Sequence, residues 1–527
     1  MVNGPGKSDS AIIARKPTNK AGQPVAEPVE RRAEAKGNAS QQSTRRAQDR
    51  ESVSQALERI RQAARQRKKE RFTSLLHHLS IELLRLAFFA LKREAAPGVD
   101  GLTWRDYEAD LDRRIEDLHS RVHRGAYRAR PSRRRYIPKA DGQQRPLAVA
   151  ALEDKIVQRA ACAVLNAIYE EDFLGFSYGF RPKRNQHNAL DALTYGIYSM
   201  KVNYIFDADL RCFFDSVSQQ WLVRFLKHRI ADRRMIHLIQ KWLQAGVLED
   251  GVRTVSDTGT GQGSVISPLL ANVYLHYVFD LWANRWRHRE ATGNVIIVRY
   301  ADDFIVGFER EGDARRFWTA VRNRLEEFSL SLHPDKTRLI QFGRFAANHR
   351  AQRGFGKPET FNFLGFTFIC STGRNGRFLL QRKTRRDRLR AKLKEVKEEM
   401  RQRRHQPIPE QGKWLKQVLT GFLAYYAVPT NGRTLSAFRY RIIDLWRRSL
   451  HRRSQKDRTN WERITKLVND FLPRVRILHP WPLARFAVTH PRWEPSARIG
   501  PARIVRGALS DECPLYVADC LASKHIC

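Results

Sequence analysis

From Phe72 onward the apolar residues fall into patterns that predict regular elements. Leu75, Leu79, Leu83, Leu86 and Phe89 recur at the spacing of one helix face, up to the turn signal Pro97-Gly98. Between Arg133 and Leu147 a hairpin is expected: Tyr136-Ile137-Pro138-Lys139 enters it, Asp141-Gly142 turns it and Arg145-Pro146-Leu147 leaves it. Helical patterning covers residues 153–169 and begins again near Asn185, whereas residues 201–210 alternate as a strand. Further helices are expected over 219–228, 235–245 and 314–328, with a long apolar-faced one over 267–286. Residues 295–308 read as a second hairpin. Helices and strands interleave without a strict βαβ repeat, which predicts an α+β fold around a palm-like sheet. From Gln381 onward the pattern turns helical and basic.

Composition adds what the pattern lacks. Residues 1–71 are rich in Arg, Gln, Ala, Ser and Lys and poor in large apolar side chains, so the first fifty are expected to be disordered and 52–71 to form a basic helix. Over the whole chain 96 Lys and Arg stand against 55 Asp and Glu, a net charge of +41. Such an excess repels itself unless a polyanion shares the surface, and nucleic acid is the natural one. No apolar run approaches the roughly 20 residues of a membrane span. A soluble, cytoplasmic, nucleoid-associated protein with no membrane partner is therefore expected. The six cysteines form no C-x-x-C pair, which argues against a disulfide or zinc module and fits a reducing compartment.

The sharpest chemical signal lies in the second hairpin. Two β-favouring runs flank Tyr300-Ala301-Asp302-Asp303, which puts adjacent carboxylates at a hairpin tip. Two acids there repel each other unless a cation neutralises them, and Mg²⁺ suits carboxylates while keeping positions open for phosphates. A second acidic run, Ile205-Phe206-Asp207-Ala208-Asp209-Leu210, ends an apolar strand, and the aromatic pair Phe213-Phe214 follows. Two-metal phosphoryl transfer needs carboxylates from separate strands to hold two Mg²⁺ ions, and Asp209 with Asp302 supplies that clamp if the strands are neighbours. Asp207 shares Asp209's face but lies deeper, and Asp215 lies past the strand end, where capping is the simpler role.

These residues sit in blocks that resemble the group II intron-encoded reverse transcriptase/maturases. The blocks are Tyr136-Ile-Pro-Lys139, Asp154-Lys-Ile-Val-Gln158, Ser177-Tyr-Gly-Phe-Arg-Pro182, the run from Gly259 to Asn272, Tyr300-Ala-Asp-Asp303, Leu332-His-Pro-Asp-Lys-Thr337 and Phe361-Asn-Phe-Leu-Gly-Phe366. They stand in the family's order from about Phe72 to about Arg503. One departure is Gly261, where the family usually has Pro; glycine loosens the turn before Gln262 and removes no functional group.

The resemblance implies a right-hand polymerase fold, fingers and palm, followed by an all-helical basic thumb. The expected organisation is an N-terminal extension (1–71), fingers and palm (72–370), a helical thumb or maturase domain (371–478) and a small DNA-binding region (479–527). By position, Asp209, Asp302 and Asp303 match the catalytic, metal-binding triad, with the backbone carbonyl of Leu210 completing one metal shell. Phe214 matches the ring that excludes a 2′-hydroxyl. Arg133, Lys139 and Arg145 match cations that grip the incoming triphosphate, Gln262 the monitor of the nascent pair, and Lys336 a proton donor to pyrophosphate.

Residues 382–404 hold 12 Lys and Arg against 4 acids on an expected helix. Arg382, Lys383, Arg385 and Arg386, with Arg452, Arg453 and Lys456 further on, are the expected nucleic-acid contacts, interleaved with aromatics. Trp446 and Tyr426 are expected as core rings. Cys513, Cys520, Cys527 and His525 do not supply the paired cysteines and clustered histidines of an H-N-H endonuclease, so none is expected. The implied function is RNA-directed DNA synthesis joined to splicing assistance for a group II intron RNA and mobility by target-primed reverse transcription. Partners would be that RNA, an RNA template with a DNA or RNA primer, target DNA and dNTPs, with room for a homodimer. A domesticated or defence-associated (CRISPR-linked) reverse transcriptase, or a binding-only splicing factor, keeps the same blocks.

Overall fold

A computed structural model describes residues 29–138, 144–453 and 460–489, and the chain divides into two units, 1–55 and 56–527. Within the first unit the described residues belong to α1 (Val29–Gln66). The expectation of disorder through residue 50 is corrected from Val29 onward, where Ala, Glu, Gln and Arg, strong helix formers, build a helix.

In the second unit α1 ends against a buried arginine. Arg229 pairs with Asp172 at 2.8 Å, donates to the carbonyl of Ala64 in the last turn, where a helix leaves carbonyls without intrahelical partners, and to those of Arg67, Lys68 and Glu70 just beyond it. The helix expected from Leu75 begins later, as α2 (Ile81–Phe89). Asp232 draws the N–H groups of Leu75 and Leu76 away from helical bonding, and Ser80 then caps α2 by accepting from Leu83 N. Helices α3 (Trp104–Glu108) and α4 (Leu111–His123) complete this layer.

The first hairpin forms as expected from β1 (Ser132–Pro138) and β2 (Gln144–Val149), and its turn lies outside the described residues. Two short strands, β4 (Val247–Glu249) and β5 (Val252–Thr254), extend it into a sheet ordered β2-β1-β4-β5. Then come α5 (Leu152–Asp172), α6 (Gln186–Ser199), α7 (Phe213–Ser216), α8 (Gln219–Lys227) and α9 (Arg233–Gln244).

The central sheet has the order β6-β7-β3-β8, from β3 (Tyr204–Ala208), β6 (Val295–Tyr300), β7 (Asp303–Phe308) and β8 (Arg338–Gln341). Every neighbour pair is antiparallel. Side chains alternate between its faces. Ile205, Ile296 and Val298 share a core with Leu190 and Leu193 of α6. Phe206, Phe304 and Phe308 meet rings on the other side: Phe206 and Phe308 meet Phe317 of α12 (Glu311–Glu326), and Phe304 meets Phe279. The long helix expected over 267–286 is α10 (Ser267–Leu275) and α11 (Leu281–Arg289), joined by a π turn, His276–Asp280.

After α13 (Ala346–Gln352), a small sheet of β9 (Phe361–Phe363), β10 (Phe366–Thr372) and β11 (Phe378–Thr384) joins the palm core. A domain boundary at 370 would cut β10, and the helical region expected from Gln381 starts only after Thr384, because pairing of β11 with β10 holds 378–384 extended. Four helices follow, α14 (Arg386–Gln402), α15 (Ile408–Tyr426), α16 (Gly432–His451) and α17 (Trp461–Phe471), around a second core centred on fully buried Trp446. Tyr426 packs against this core half-buried. Finally α18 (Pro482–Thr489) packs on α6. The rest of the region expected to bind DNA, with its cysteines and His525, lies outside the described residues.

Candidate active site

The two acidic runs meet. Strand β3 pairs with β7 through Ala208↔Phe304, so the next step of the register carries Asp209 opposite Asp303. Strands β6 and β7 pair through Tyr300↔Asp303, leaving Ala301-Asp302 as a two-residue turn. Ala301 has φ 58°, the left-handed conformation that tight hairpin turns demand and that a Cβ makes costly. Gly179 presses on this turn: a Cβ there would lie 2.2 Å from Ala301 N. That contact explains the glycine of the Ser177–Pro182 block.

Around Asp209 the chain is tied down on the side away from β7. Its carbonyl accepts from His333 N at 2.8 Å, Leu210 bridges to Leu332, and Lys336 Nζ donates to Asp209 Oδ2 at 2.7 Å. Asp207 is spoken for by Arg338 at 3.2 Å. Burial, and then the charge of Asp209, raises the carboxyl of Asp302 above its usual range. Burial and the neighbouring acids Asp302, Asp209 and Asp207 push Asp303 up to about 7. Since residue 303 stays open to solvent, the crowding of like charges is the cause that the geometry bears out.

Among the described residues no three His, Cys, Asp or Glu side chains enclose a metal by themselves. Mg²⁺ takes carboxylate oxygens, commonly one or two, and completes its shell with water and substrate phosphates, so the carboxylates of Asp209 and Asp302 are of the right chemical type for it. The donor set is all oxygen, and Lys336 at Asp209, with Arg145 and Arg299 acting on Asp302, offsets part of its negative charge.

On the neighbouring side, Phe214 is half-exposed on α7, edge-on to Phe213 at 5.3 Å. Its carbonyl accepts from Thr260 N at 2.8 Å, and Gly259, at φ 86°, passes close behind it. Gln262 is held between two charged groups: its amide nitrogen reaches Asp215 Oδ2 at 3.5 Å, and its amide oxygen accepts from Arg145 at 3.3 Å. Asp215 thus tethers Gln262. The β1–β2 register, Arg133↔Val149 and Ile137↔Arg145, puts Arg133 and Arg145 on one face of the hairpin. Lys139 lies outside the described residues. Gly261 does not use a positive φ, and a Cβ there would meet Ala148 Cβ at an ordinary 3.6 Å. The Asp154–Gln158 block works as scaffolding: Asp154 accepts from Tyr127 and Arg130 N, and Gln158 from Ser264 and Val265 N.

The thumb cations divide. Arg382 is buried and pairs with Asp191 at 3.1 Å, so it is a strut between β11 and α6, which corrects its expected role as a nucleic-acid contact. Lys383 is an exposed strand residue, and Arg385 binds Asp387 at 2.7 Å. Arg386 and Arg452 are exposed, Arg453 is half-buried, and Lys456 lies outside the described residues. On α14, Arg386, Arg390, Lys394, Lys397 and Arg401 are all exposed and form no ion pair among the described residues. At 100° per residue these positions make one stripe, about 22 Å long at the helical rise. The charge run announced the helix; only the helical phase picks out the stripe.

Carboxylates at a strand end and a facing hairpin turn of one antiparallel sheet are an arrangement that a nucleotidyl polymerase can use. Comparison with known proteins makes the assignment specific. The family profile "Reverse transcriptase (RNA-dependent DNA polymerase)" matches residues 137–368. Protein YkfC of Escherichia coli strain K12 is 33% identical over 294 residues, covering 49% of this chain and 76% of YkfC. The group II intron-encoded protein LtrA of Lactococcus lactis subsp. cremoris is 32% identical over 222 residues, covering 42% of this chain and 37% of LtrA. An uncharacterized 91 kDa protein in a cob intron of Schizosaccharomyces pombe is 37% identical over 174 residues, 33% of this chain and 21% of that protein. The chain belongs to the reverse transcriptase family and is homologous to group II intron-encoded proteins. No helix among the described residues is long and apolar enough to cross a membrane.

Proposed function

We propose that the protein synthesises DNA on an RNA template with a Mg²⁺ pair at Asp209, Asp302 and Asp303, and that it binds a group II intron RNA as a maturase, assisting splicing and mobility. The observation that carries this reading is the β3–β7 register, which brings Asp209 opposite Asp303. The backbone carbonyl of Leu210 is a further candidate ligand. The bound ions supply charge stabilisation while a primer 3′-hydroxyl attacks the α-phosphate of a dNTP.

The chain's own groups do the rest. Arg133 and Arg145 grip the triphosphate from the fingers hairpin, as guanidinium forks do. Phe214 stands under the sugar and excludes a 2′-hydroxyl. Gln262, tethered by Asp215 and Arg145, presents its amide to the nascent pair. Lys336, an ammonium at the acid cluster, is placed to give a proton to the leaving pyrophosphate. The α14 stripe screens phosphates of template, primer or intron RNA.

Extension of oligo(dT) on poly(rA) with Mg²⁺ and dTTP tests this. Wild-type protein incorporates dTTP, and Asp302→Asn lowers incorporation by about 10³-fold or more. Affinity for intron RNA stays within about twofold, because binding rests on distant cations. A folded wild-type protein that binds the RNA and incorporates nothing is a binding-only splicing factor. Equal loss of incorporation and splicing assistance in Asp302→Asn contradicts the division of labour.

A further inference from the structure

Beneath the catalytic turn lies a charged group that none of the roles above uses. Arg299, next to the end of the apolar strand β6, is completely buried, and so is its partner Asp280. Nε donates to Asp280 Oδ1 at 2.7 Å, and one terminal nitrogen donates to Asp280 Oδ2 at 2.5 Å and to Ser177 Oγ at 2.7 Å. The other terminal nitrogen donates to Asn272 Oδ1 at 3.1 Å and to the carbonyl of Ala301 at 2.9 Å. A guanidinium has five N–H donors in a fixed plane, and here each has an acceptor.

One of those acceptors belongs to the turn that carries Asp302. Ala301 is the residue held at positive φ, and Arg299 grips its carbonyl from below. From the side, Asn272, itself bound to Arg299, donates to the carbonyl of Gly179, the residue that touches Ala301 N. Asp280 closes a π turn inside an otherwise α-helical stretch. Such turns are rare and occur mostly at functional sites. A strained conformation persists only where its surroundings over-determine it, and the turn is held in this way from two directions.

We infer that Arg299 is the positioning residue of the catalytic turn: through the carbonyl of Ala301 it fixes where Asp302 and Asp303 stand relative to Asp209. Asp280, Asn272 and Ser177 set the plane of its guanidinium and leave one donor for the turn. A lysine keeps the charge but has no planar fork to bind all four partners at once. The inference rests on the polymerase reading and adds to it a residue outside the reacting groups.

The test compares wild-type protein with Arg299→Met/Asp280→Leu and Arg299→Lys, each measured per folded molecule. Removing both members of a buried pair together is far milder than removing one, so the double variant is the informative one. Its kcat for dTTP on poly(rA)/oligo(dT) falls about 100-fold, the scale for small misplacement of reacting groups. Its Kd for template-primer and its KM for dTTP stay within about twofold of wild type. The Mg²⁺ concentration for half-maximal rate rises, and Arg299→Lys does not restore kcat.

A merely structural role would lower the melting temperature and leave kcat per folded molecule unchanged; that result overturns the inference. If the double variant does not fold, Asn272→Ala is read in the same assays. A kcat loss there with binding kept supports the inference, and an unchanged kcat overturns it. A folded wild-type protein without incorporation sinks the polymerase reading itself, and the inference falls with it.

Discussion

Palm and thumb use charge in opposite ways. In the palm, Arg299–Asp280, Arg382–Asp191 and Arg181–Glu170 withdraw their guanidinium groups from water and give each a named partner. On α14 of the thumb, Arg386, Arg390, Lys394, Lys397 and Arg401 stand in solvent with no ion pair among the described residues. On the proposed function two tasks explain the contrast. Acids that serve a reacting phosphate must be held to about half an ångström, whereas a basic stripe is met by a strand with a phosphate at every nucleotide. One region spends its charges on geometry, and the other on field.

Arg382 is where this division is most easily broken. By sequence it opens the basic run of the thumb, and by structure it belongs to the palm's buried set. Its partner Asp191 also meets Arg485 at 3.1 Å, and burial raises the carboxyl of Asp191 while those two cations oppose the rise. Arg382→Met should destabilise the protein by about 3 kcal/mol, because it leaves a buried carboxylate with one cation in place of two. Arg382→Met/Asp191→Leu should recover most of that loss. Urea unfolding reads the stability and RNA titration reads the affinity. A variant of unchanged stability with weakened RNA binding would return Arg382 to the thumb set.

The sequence made much of this legible, for local reasons. The hairpin over 295–308 is found as β6 and β7, since apolar β-formers and a two-residue turn decide it within a dozen positions. Asn185 caps α6 as its place before the pattern implies. Asp209 and Asp302 read as a pair, and the register unites their strands. What escaped was decided at long range. Arg299 carries no role that its own neighbours reveal, and its partners Asp280 and Ser177 lie 19 and 122 residues away. Strand β11 reads as the start of a helix because its cross-strand partner, not its composition, holds it extended. For Asp215, past the strand end, capping is the simpler reading, and its carboxylate instead reaches Gln262, which follows it by 47 residues.

Acid sharpens the same contrast. His276, in the π turn under the candidate active site, is fully buried, and burial followed by the charges of Arg299 and Arg181 lowers its pKa to about 3. The unfolded chain takes up that proton near pH 6.5 and the folded palm does not. Stability contributed by the neutral ring is complete above that pH and is lost as pH falls toward 3. Between pH 6.5 and 5 the loss is about 2 kcal/mol. His276→Phe, whose ring suits the edge-on contact with Phe173 at 5.5 Å, should remove this part of the acid sensitivity. None of the described thumb histidines is buried, so no comparable term is expected there. Urea unfolding of both proteins at pH 7 and pH 5 measures it. An equal acid loss in the two would show that His276 accepts a proton in place.

The smallest effect is the most particular to the thumb. Lys394→Gln removes one charge from the α14 stripe, keeps a good helix former and disturbs no partner. If that ammonium neutralises one phosphate, the slope of log affinity against log salt becomes shallower by about 0.7 for a single strand or 0.9 for a duplex. Affinity at moderate salt then falls by less than about tenfold. Arg390→Gln and Lys397→Gln should act alike and additively, because separate phosphates do not share a geometry. In the palm the corresponding experiment has no such behaviour, since Arg299 and Asp280 act as one unit. Salt titrations of RNA binding for the three single variants and the triple variant decide the matter. An unchanged slope in the triple variant would make the stripe a solvated face and leave the thumb's affinity to other cations.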